Sequence, residues 1–328
     1  MTVFPKPSLH LITIITIIVL FLAACGLETS APVPTQVEQL APTQTFPSKP
    51  SPTVPPPAVT EAPAEPSNES TPLPTQIPAV EVLPAEPQEI EFQAEDGQSL
   101  IGRYYPSAVS PAPLVVLMHW APGDQNDWAA IATWLQNRGG RASTSGDKPW
   151  LDSSWFPALL EGQSFAVFTF TFRNCEGGCK SFDRAEWLLD AQSAMRIAYG
   201  LEGVNPNRIA TIGASIGADG APDGCAWLNT QFPNSCLGAL SLSPGGYLTI
   251  PYKDAVSDLG SEQPPKPAWC LYAEGDAESA QACEAASGDN YRSVKYSGNH
   301  HGMMLVQPEL EPSALQIMLD FLKLAFGL

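Results

Sequence analysis

The sequence predicts an α/β fold, a mostly parallel sheet covered by helices on both faces, over residues 89–328 of the 328-residue chain. Three observations carry this. Apolar runs of strand length recur at 113–119, 165–170, 209–212, 237–243 and 268–273, each bounded by turn residues and buried-looking throughout. Stretches with helical spacing lie between and after them at 128–136, 184–199, 277–286 and 312–326. Alternation of the two is the pattern of strands joined by crossover helices.

The elements follow in chain order. Residues 89–94 and 99–105 alternate apolar and polar across Asp96-Gly97, a hairpin signal, and predict an antiparallel edge to the sheet. The run 113–119 ends at His119 and empties into Trp120-Ala121-Pro122-Gly123-Asp124. Between 184 and 199, Trp187, Leu188, Ala191, Ala194, Met195 and Ala198 recur at helical spacing, as a core-facing helix requires. A further strand at 292–296 leads into Ser297-Gly298-Asn299-His300-His301-Gly302. Two stretches depart from the pattern. Residues 139–156 form a long loop bringing Trp150, Trp155 and Phe156, which reads either as a lid or pocket wall or as packing on the domain's own surface. Asp219-Gly220-Ala221-Pro222 predicts that the helix after residue 215 is short or interrupted, with 223–236 as an insert pinned by a disulfide.

The stretch 208–217, R-I-A-T-I-G-A-S-I-G, reads as a buried strand stopped by a tight small-residue turn with Ser215 at its apex. A G-x-S-x-G alone is weak, arising by chance in about one chain in ten of this length. Its context is stronger: Asp276 follows the strand 268–273 and His301 follows the strand 292–296. In this order the chain resembles the α/β-hydrolase family, and most closely its small serine hydrolases of the dienelactone-hydrolase and prolyl-oligopeptidase-like branch, over residues 89–328. The resemblance implies a carboxylesterase-like Ser-His-Asp triad with Ser215 as nucleophile, His301 as base and Asp276 as its orienting acid. His300 is the alternative base, and Glu274 and Asp254 are alternative acids. The family's base generally precedes a glycine, which favours His301 before Gly302. His119 corresponds to a histidine that supports the oxyanion loop. Oxyanion donors are expected from the N–H groups of Ile216 and Ala121, with Trp120 the second choice for the latter. The family's loop often reads His-Gly-x-x-Gly, and Trp120 in place of the first glycine narrows the acyl side. Trp120, Trp150 and Trp155 are the candidate pocket residues. A non-catalytic binding protein that keeps the fold is the rival reading, motivated by that tryptophan and the aromatic loop.

The front of the chain has a different character. Residues 1–25 carry a weakly basic start, an apolar run too short to span a membrane, and Leu22-Ala23-Ala24-Cys25. This reads as a signal peptide whose end resembles a bacterial lipobox, with Cys25 as the lipidated residue. Residues 26–88 hold about half of the 34 prolines and almost no aromatic side chain, and predict a disordered, semi-rigid stalk. Between Glu28 and Asp96, eleven acidic residues oppose only Lys49, so this part supplies about −10 of the formal net charge of −18. The remaining carboxylates are scattered and no basic stripe occurs, which argues against nucleic acid and against electrostatic attachment to an anionic membrane. The expected partners are therefore a small-molecule ester or acyl substrate and a membrane reached through the lipid, with export to the outer face of a bacterial cell membrane. Oligomeric state leaves no signal.

Six cysteines remain after Cys25, and an even remainder in an exported chain implies disulfides. Proximity pairs Cys175 with Cys179, Cys225 with Cys236, and Cys270 with Cys283. The spacing Cys175-Glu-Gly-Gly-Cys179 is the rival metal reading, without a second Cys/His pair near it. Neither metal nor cofactor is expected, since no phosphate loop, dinucleotide fingerprint or His-Glu-x-x-His occurs. Ser145-Gly-Asp-Lys148 has the Ser-x-x-Lys form without its Lys-Thr-Gly companion, and Asn68-Glu69-Ser70 is a weak glycosylation sequon.

Overall fold

A computed structural model describes residues 83–140 and 148–328. The signal peptide, Cys25, the sequon at Asn68, most of the stalk and Ser145 lie outside the described residues. Eight strands form one sheet: β1 (Gln88–Gln93), β2 (Ser99–Tyr105), β3 (Ala112–Met118), β4 (Ala166–Thr171), β5 (Val204–Ala214), β6 (Cys236–Leu242), β7 (Ala268–Ala273) and β8 (Tyr291–Tyr296). Their order across the sheet is β1-β2-β4-β3-β5-β6-β7-β8. β1 pairs with β2, and β2 with β4, antiparallel; every other pairing is parallel. The hairpin turns where predicted, with Gly97 at φ 88° and its N–H donating to Ala94.

Among the described residues five α-helices lie between strands, α1 (Ala129–Gln136), α2 (Arg184–Tyr199), α3 (Ile216–Gln231), α4 (Tyr252–Ser261) and α5 (Ala277–Ala285), and a sixth, α6 (Ala314–Phe326), follows β8. No described helix is long and apolar enough to cross a membrane. The alternation along β3 sorts the two cores. Leu114, Val116 and Met118 face one cluster with residues of α2 to α5, while Val115 and Leu117 face the other with residues of α1 and α6. A buried Arg173 at the end of β4 fastens one margin. Its guanidinium donates to Asp190 of α2 at 2.7 and 2.9 Å and to Asp96 of the hairpin turn.

The three disulfides join the expected partners, Cys175–Cys179, Cys225–Cys236 and Cys270–Cys283. The first closes the turn after β4, the second ties α3 to the start of β6, and the third ties β7 to α5.

The helix after residue 215 corrects the sequence reading. It is neither short nor interrupted: α3 runs unbroken for 16 residues with Pro222 inside it, and residues 223–231 are its second half rather than an insert. Two compensations explain this. Pro222 has no N–H for the carbonyl of Ala218 four residues back, and the hydroxyl of Ser241 on β6 donates to that carbonyl instead, at 2.7 Å. Gly217, Gly220 and Gly224 present a bare stripe, and a Cβ at 220 or 224 would stand 3.0 Å from Met118 Sδ or 2.9 Å from Met195 Cγ. Glycine and proline cost helix propensity here, and close packing against β3 and α2 offsets that cost. Ser241→Ala should therefore destabilise the protein by about 1–3 kcal/mol, the penalty of an unpaired buried carbonyl. Adding Pro222→Ala should recover part of the loss by giving that carbonyl an amide again, both read by urea unfolding.

Candidate active site

Ser215 lies between β5 and α3 with φ 54° and ψ −117°, a backbone conformation that a side chain rarely tolerates. The turn survives because its neighbours are glycines. A Cβ on Gly213 would fall 1.7 Å from the carbonyl oxygen of Gly217, and one on Gly217 would fall 2.3 Å from that of Met118. The Ser215 N–H donates to Leu242, and the Ser215 carbonyl accepts from Ala218 and Asp219. Gly217 donates its N–H to the carbonyl of His119 at 3.2 Å, fastening the turn to the end of β3. Ile216, the first residue of α3, is left with its N–H unused by the helix.

Two further loops meet this serine. His301 Nε2 lies 2.8 Å from Ser215 Oγ, and His301 Nδ1 lies 2.6 Å from Asp276 Oδ2. The serine is buried at 4% exposure, while the histidine and aspartate side chains are 29% and 13% exposed, so the chain of three opens to solvent at the imidazole. The loops after β7 and β8 are tied to each other by backbone: Glu274 N–H donates to Tyr296 at 2.9 Å and Gly275 N–H to Gly298 at 2.7 Å. The residue after the histidine has to be glycine. Gly302 has φ 57°, and a Cβ there would stand 3.0 Å from the Trp120 ring and 3.6 Å from Ser215 Cβ.

The alternatives stand elsewhere. His300 faces Gln307, whose Nε2 is 3.3 Å from His300 Nδ1. Asp254 is an exposed residue in the first turn of α4, paired with Lys253 at 3.7 Å. Glu274 is exposed and outside the hydrogen-bonded chain.

On the other side of Ser215 is the loop after β3. His119 is fully buried; its Nε2 accepts from the N–H of Phe172 at 2.9 Å, so the proton resides on Nδ1, which donates to the Trp120 carbonyl at 2.7 Å. The turn closed by Cys175–Cys179 braces the same loop. Cys179 N–H donates to the Ala121 carbonyl at 2.8 Å and Gly177 N–H to Asp124 at 2.9 Å. Buried Asp127 accepts from Trp120 Nε1 at 2.6 Å, Trp150 Nε1 at 3.2 Å and Lys148 Nζ at 2.6 Å. Trp120 and Trp150 meet edge to face, with centroids 5.5 Å apart. Trp155 does not join them: it donates to the Pro149 carbonyl and packs on Phe156, which packs on Trp134. Trp150 thus stands against Trp120, whereas Trp155 packs within its own loop.

Sequence reasoning missed three participants. Asp127 gathers the two indoles. Asp219, buried in the first turn of α3, accepts from the N–H groups of Gly245 at 3.1 Å and Tyr247 at 2.6 Å, and burial pushes its pKa up to about 7. Tyr247 in turn sets its ring at right angles to the His301 imidazole at 6.0 Å. The one local signal for Asp219 is an acidic residue four positions after Ser215 in an otherwise apolar and glycine-rich stretch. Among the described residues no group of three or more His, Cys, Asp or Glu is placed to hold a metal ion.

A serine at a strand-to-helix turn, on a mostly parallel eight-stranded sheet covered on both faces, defines the α/β-hydrolase fold, and this chain has it. Solved structures agree. The α/β hydrolase GrgF from Penicillium sp. sh18 superposes with a TM-score of 0.51 at 14% identity, covering 74% of this chain and 100% of that one. An esterase from Pyrobaculum calidifontis gives 0.50 at 17% identity, covering 75% and 88%. The esterase Pf2001 of Pyrococcus furiosus gives 0.51 at 15%, covering 73% and 92%. At these identities the likeness carries the fold. In sequence, the uncharacterized protein YfhR of Escherichia coli K12 is 31% identical over 130 residues, 40% of this chain and 38% of YfhR. No family model matches the chain.

Burial lowers the His119 pKa from its ordinary 6.5 to about 4, so its ring is neutral in the folded protein at neutral pH. As pH falls, the unfolded chain takes up this proton before the folded one does. The contribution of the neutral ring to stability is complete above about pH 6.5 and is lost progressively toward pH 4. The stability advantage of wild type over His119→Asn should accordingly shrink by up to about 3 kcal/mol across that window. Urea unfolding of the two proteins at each pH measures it, the difference cancelling other titrating groups.

Proposed function

We propose that the protein is a serine hydrolase that cleaves carboxylic esters through an acyl-enzyme, held at the outer face of a bacterial membrane by a lipid on Cys25. The observation that carries the reading is the hydrogen-bonded chain from Ser215 Oγ through His301 to Asp276, with its serine in a positive-φ turn. Small-molecule esters as the substrate class are consistent with the esterases that share its fold.

Each residue then has a task. Ser215 Oγ attacks the ester carbonyl while His301 Nε2 takes its proton. Asp276 accepts from His301 Nδ1, fixes the tautomer and stabilises the imidazolium. The N–H groups of Ile216 and Ala121 receive the developing oxyanion. Collapse of the tetrahedral intermediate breaks the bond to the alkoxy oxygen, which leaves as an alcohol with the proton held by His301. Water, deprotonated by the same imidazole, then attacks the acyl-serine; the acid leaves and the Ser215 hydroxyl is restored. Trp120, pinned by Asp127 and packed beside Gly302, forms the acyl-side wall and favours small or narrow acyl groups.

In the same reading residues 1–25 are the export signal, residues 26–88 a spacer between membrane and enzyme, and residues 89–328 the hydrolase domain. Three disulfides fit an oxidising compartment.

A fluorophosphonate probe should label wild-type protein and leave Ser215→Ala unlabelled. Turnover of short-chain nitrophenyl esters should be abolished in Ser215→Ala and reduced on the order of 10⁴-fold in Asp276→Asn, whose amide favours the wrong imidazole tautomer. A folded wild-type protein that neither labels nor turns over would leave the non-catalytic binding reading standing.

A further inference from the structure

The Asp127 side chain is buried, at 3% exposure for the residue, and its hydrogen bonds all go to one small group of residues. Oδ2 accepts from Trp120 Nε1 at 2.6 Å, and Oδ1 accepts from Lys148 Nζ at 2.6 Å and from Trp150 Nε1 at 3.2 Å. A carboxylate out of water is costly unless it is paired and hydrogen-bonded. Here a half-exposed lysine supplies the counter-charge and two indoles supply the remaining donors. The group thereby ties the segment after β3 to the loop that carries Lys148 and Trp150.

The chain leaves room for this bond. A Cβ on Gly123 would fall 1.8 Å from Asp127 Oδ2 and 2.7 Å from Trp120 Nε1, so any side chain at 123 would displace one from the other. The Trp120 ring is then fixed by the carboxylate at its nitrogen, by Trp150 edge to face at 5.5 Å, and by Gly302, where a Cβ would stand 3.0 Å from Trp120 Cε3. That same Cβ would stand 3.6 Å from Ser215 Cβ, so little more than a glycine lies between the indole and the serine. Apolar packing alone could hold an indole near this place. A charge-assisted hydrogen bond also fixes the rotation of the ring. Rotation matters for selectivity, because a wall rejects a longer chain only to the extent that displacing the wall costs free energy.

We propose that Asp127 is a specificity-determining positioning residue: acting through Trp120, and with Lys148 as its counter-charge, it restricts the acyl group at Ser215 to acetyl size. The inference rests on the hydrolase reading and adds a substrate class to it, acetyl esters. Without the carboxylate the indole is free to swing away from Gly302, and the space it vacates admits a longer acyl chain.

Turnover of nitrophenyl acetate, butyrate and hexanoate, and of acetate esters of lengthening alcohols, tests this on the full chain. Wild type should favour acetate. Asp127→Ala removes the acceptor, and Trp120→Phe keeps a ring but loses the N–H. Each should raise the ratio of kcat/KM for hexanoate to that for acetate by roughly tenfold or more, the discrimination that a single methylene gives in an apolar pocket. The double variant should fall short of the product of the two single effects, because both remove the same bond. Preference for alcohol length should stay as in wild type. If Asp127→Ala does not fold, Trp120→Phe carries the test by its hexanoate-to-acetate ratio. A merely structural role would lower turnover of every ester in parallel, and that result overturns the proposal. It is equally overturned by a wild type that prefers hexanoate, by multiplicative effects in the double variant, or by a change in alcohol preference in place of acyl preference. In each of these cases a fluorophosphonate still labels Ser215 and the hydrolase reading stands. A folded wild type that neither labels nor turns over any of the esters removes that reading and the proposal together.

Discussion

The site depends on how closely the start of α3 approaches the end of β3. Gly217 has no side chain, so its N–H reaches the His119 carbonyl and its Cα lies against Met118, where a Cβ would stand 2.3 Å from a carbonyl oxygen. This contact places the Ser215 hydroxyl and the Trp120-Ala121 loop in one rigid frame. A single added methyl would push the helix off the strand end and separate the hydroxyl from the loop. Geometry of that kind matters because a displacement of about 1 Å can cost on the order of a hundredfold in rate.

The other two loops obey the same logic. Backbone bonds from Glu274 to Tyr296 and from Gly275 to Gly298 join the turn bearing Asp276 to the turn bearing His301, and a Cβ on Gly275 would lie 2.6 Å from the Gly298 carbonyl oxygen. Gly302 then lets the chain pass between the Trp120 ring and Ser215. The three side chains are therefore aligned by main-chain contacts between neighbouring parallel strands. Those contacts exist as soon as the sheet is formed, so little side-chain ordering remains to be done when a ligand arrives.

The parts of this arrangement legible in the sequence were those whose signal is local. Buried strands appear as apolar runs, and a tight strand-to-helix turn appears as Gly-Ala-Ser-Ile-Gly, so the order of serine, aspartate and histidine at strand ends could be read directly. What escaped was long-range. Pro222 and three glycines argue locally against a helix, and α3 persists because Ser241, some twenty residues on, supplies the missing donor. Asp127 reads as one surface carboxylate among many until folding brings Trp120, Trp150 and Lys148 to it. Trp155 and Trp150 lie in the same short stretch, yet only tertiary packing separates the one beside Trp120 from the one beside Phe156.

The two buried carboxylates of α3 show how successive turns of one helix meet different surroundings. Asp219 and Asp223 lie a single turn apart, and burial raises the pKa of both. The loop after β6 folds over Asp219 and delivers two backbone N–H groups, so its polar atoms are accounted for within the protein and its effect is to hold Tyr247 beside His301. No backbone reaches Asp223, because there α3 faces a groove toward α4 instead of a loop. The difference arises from which neighbouring segment passes over the helix at each turn, and one turn of rise, about 5.4 Å, is enough to change it.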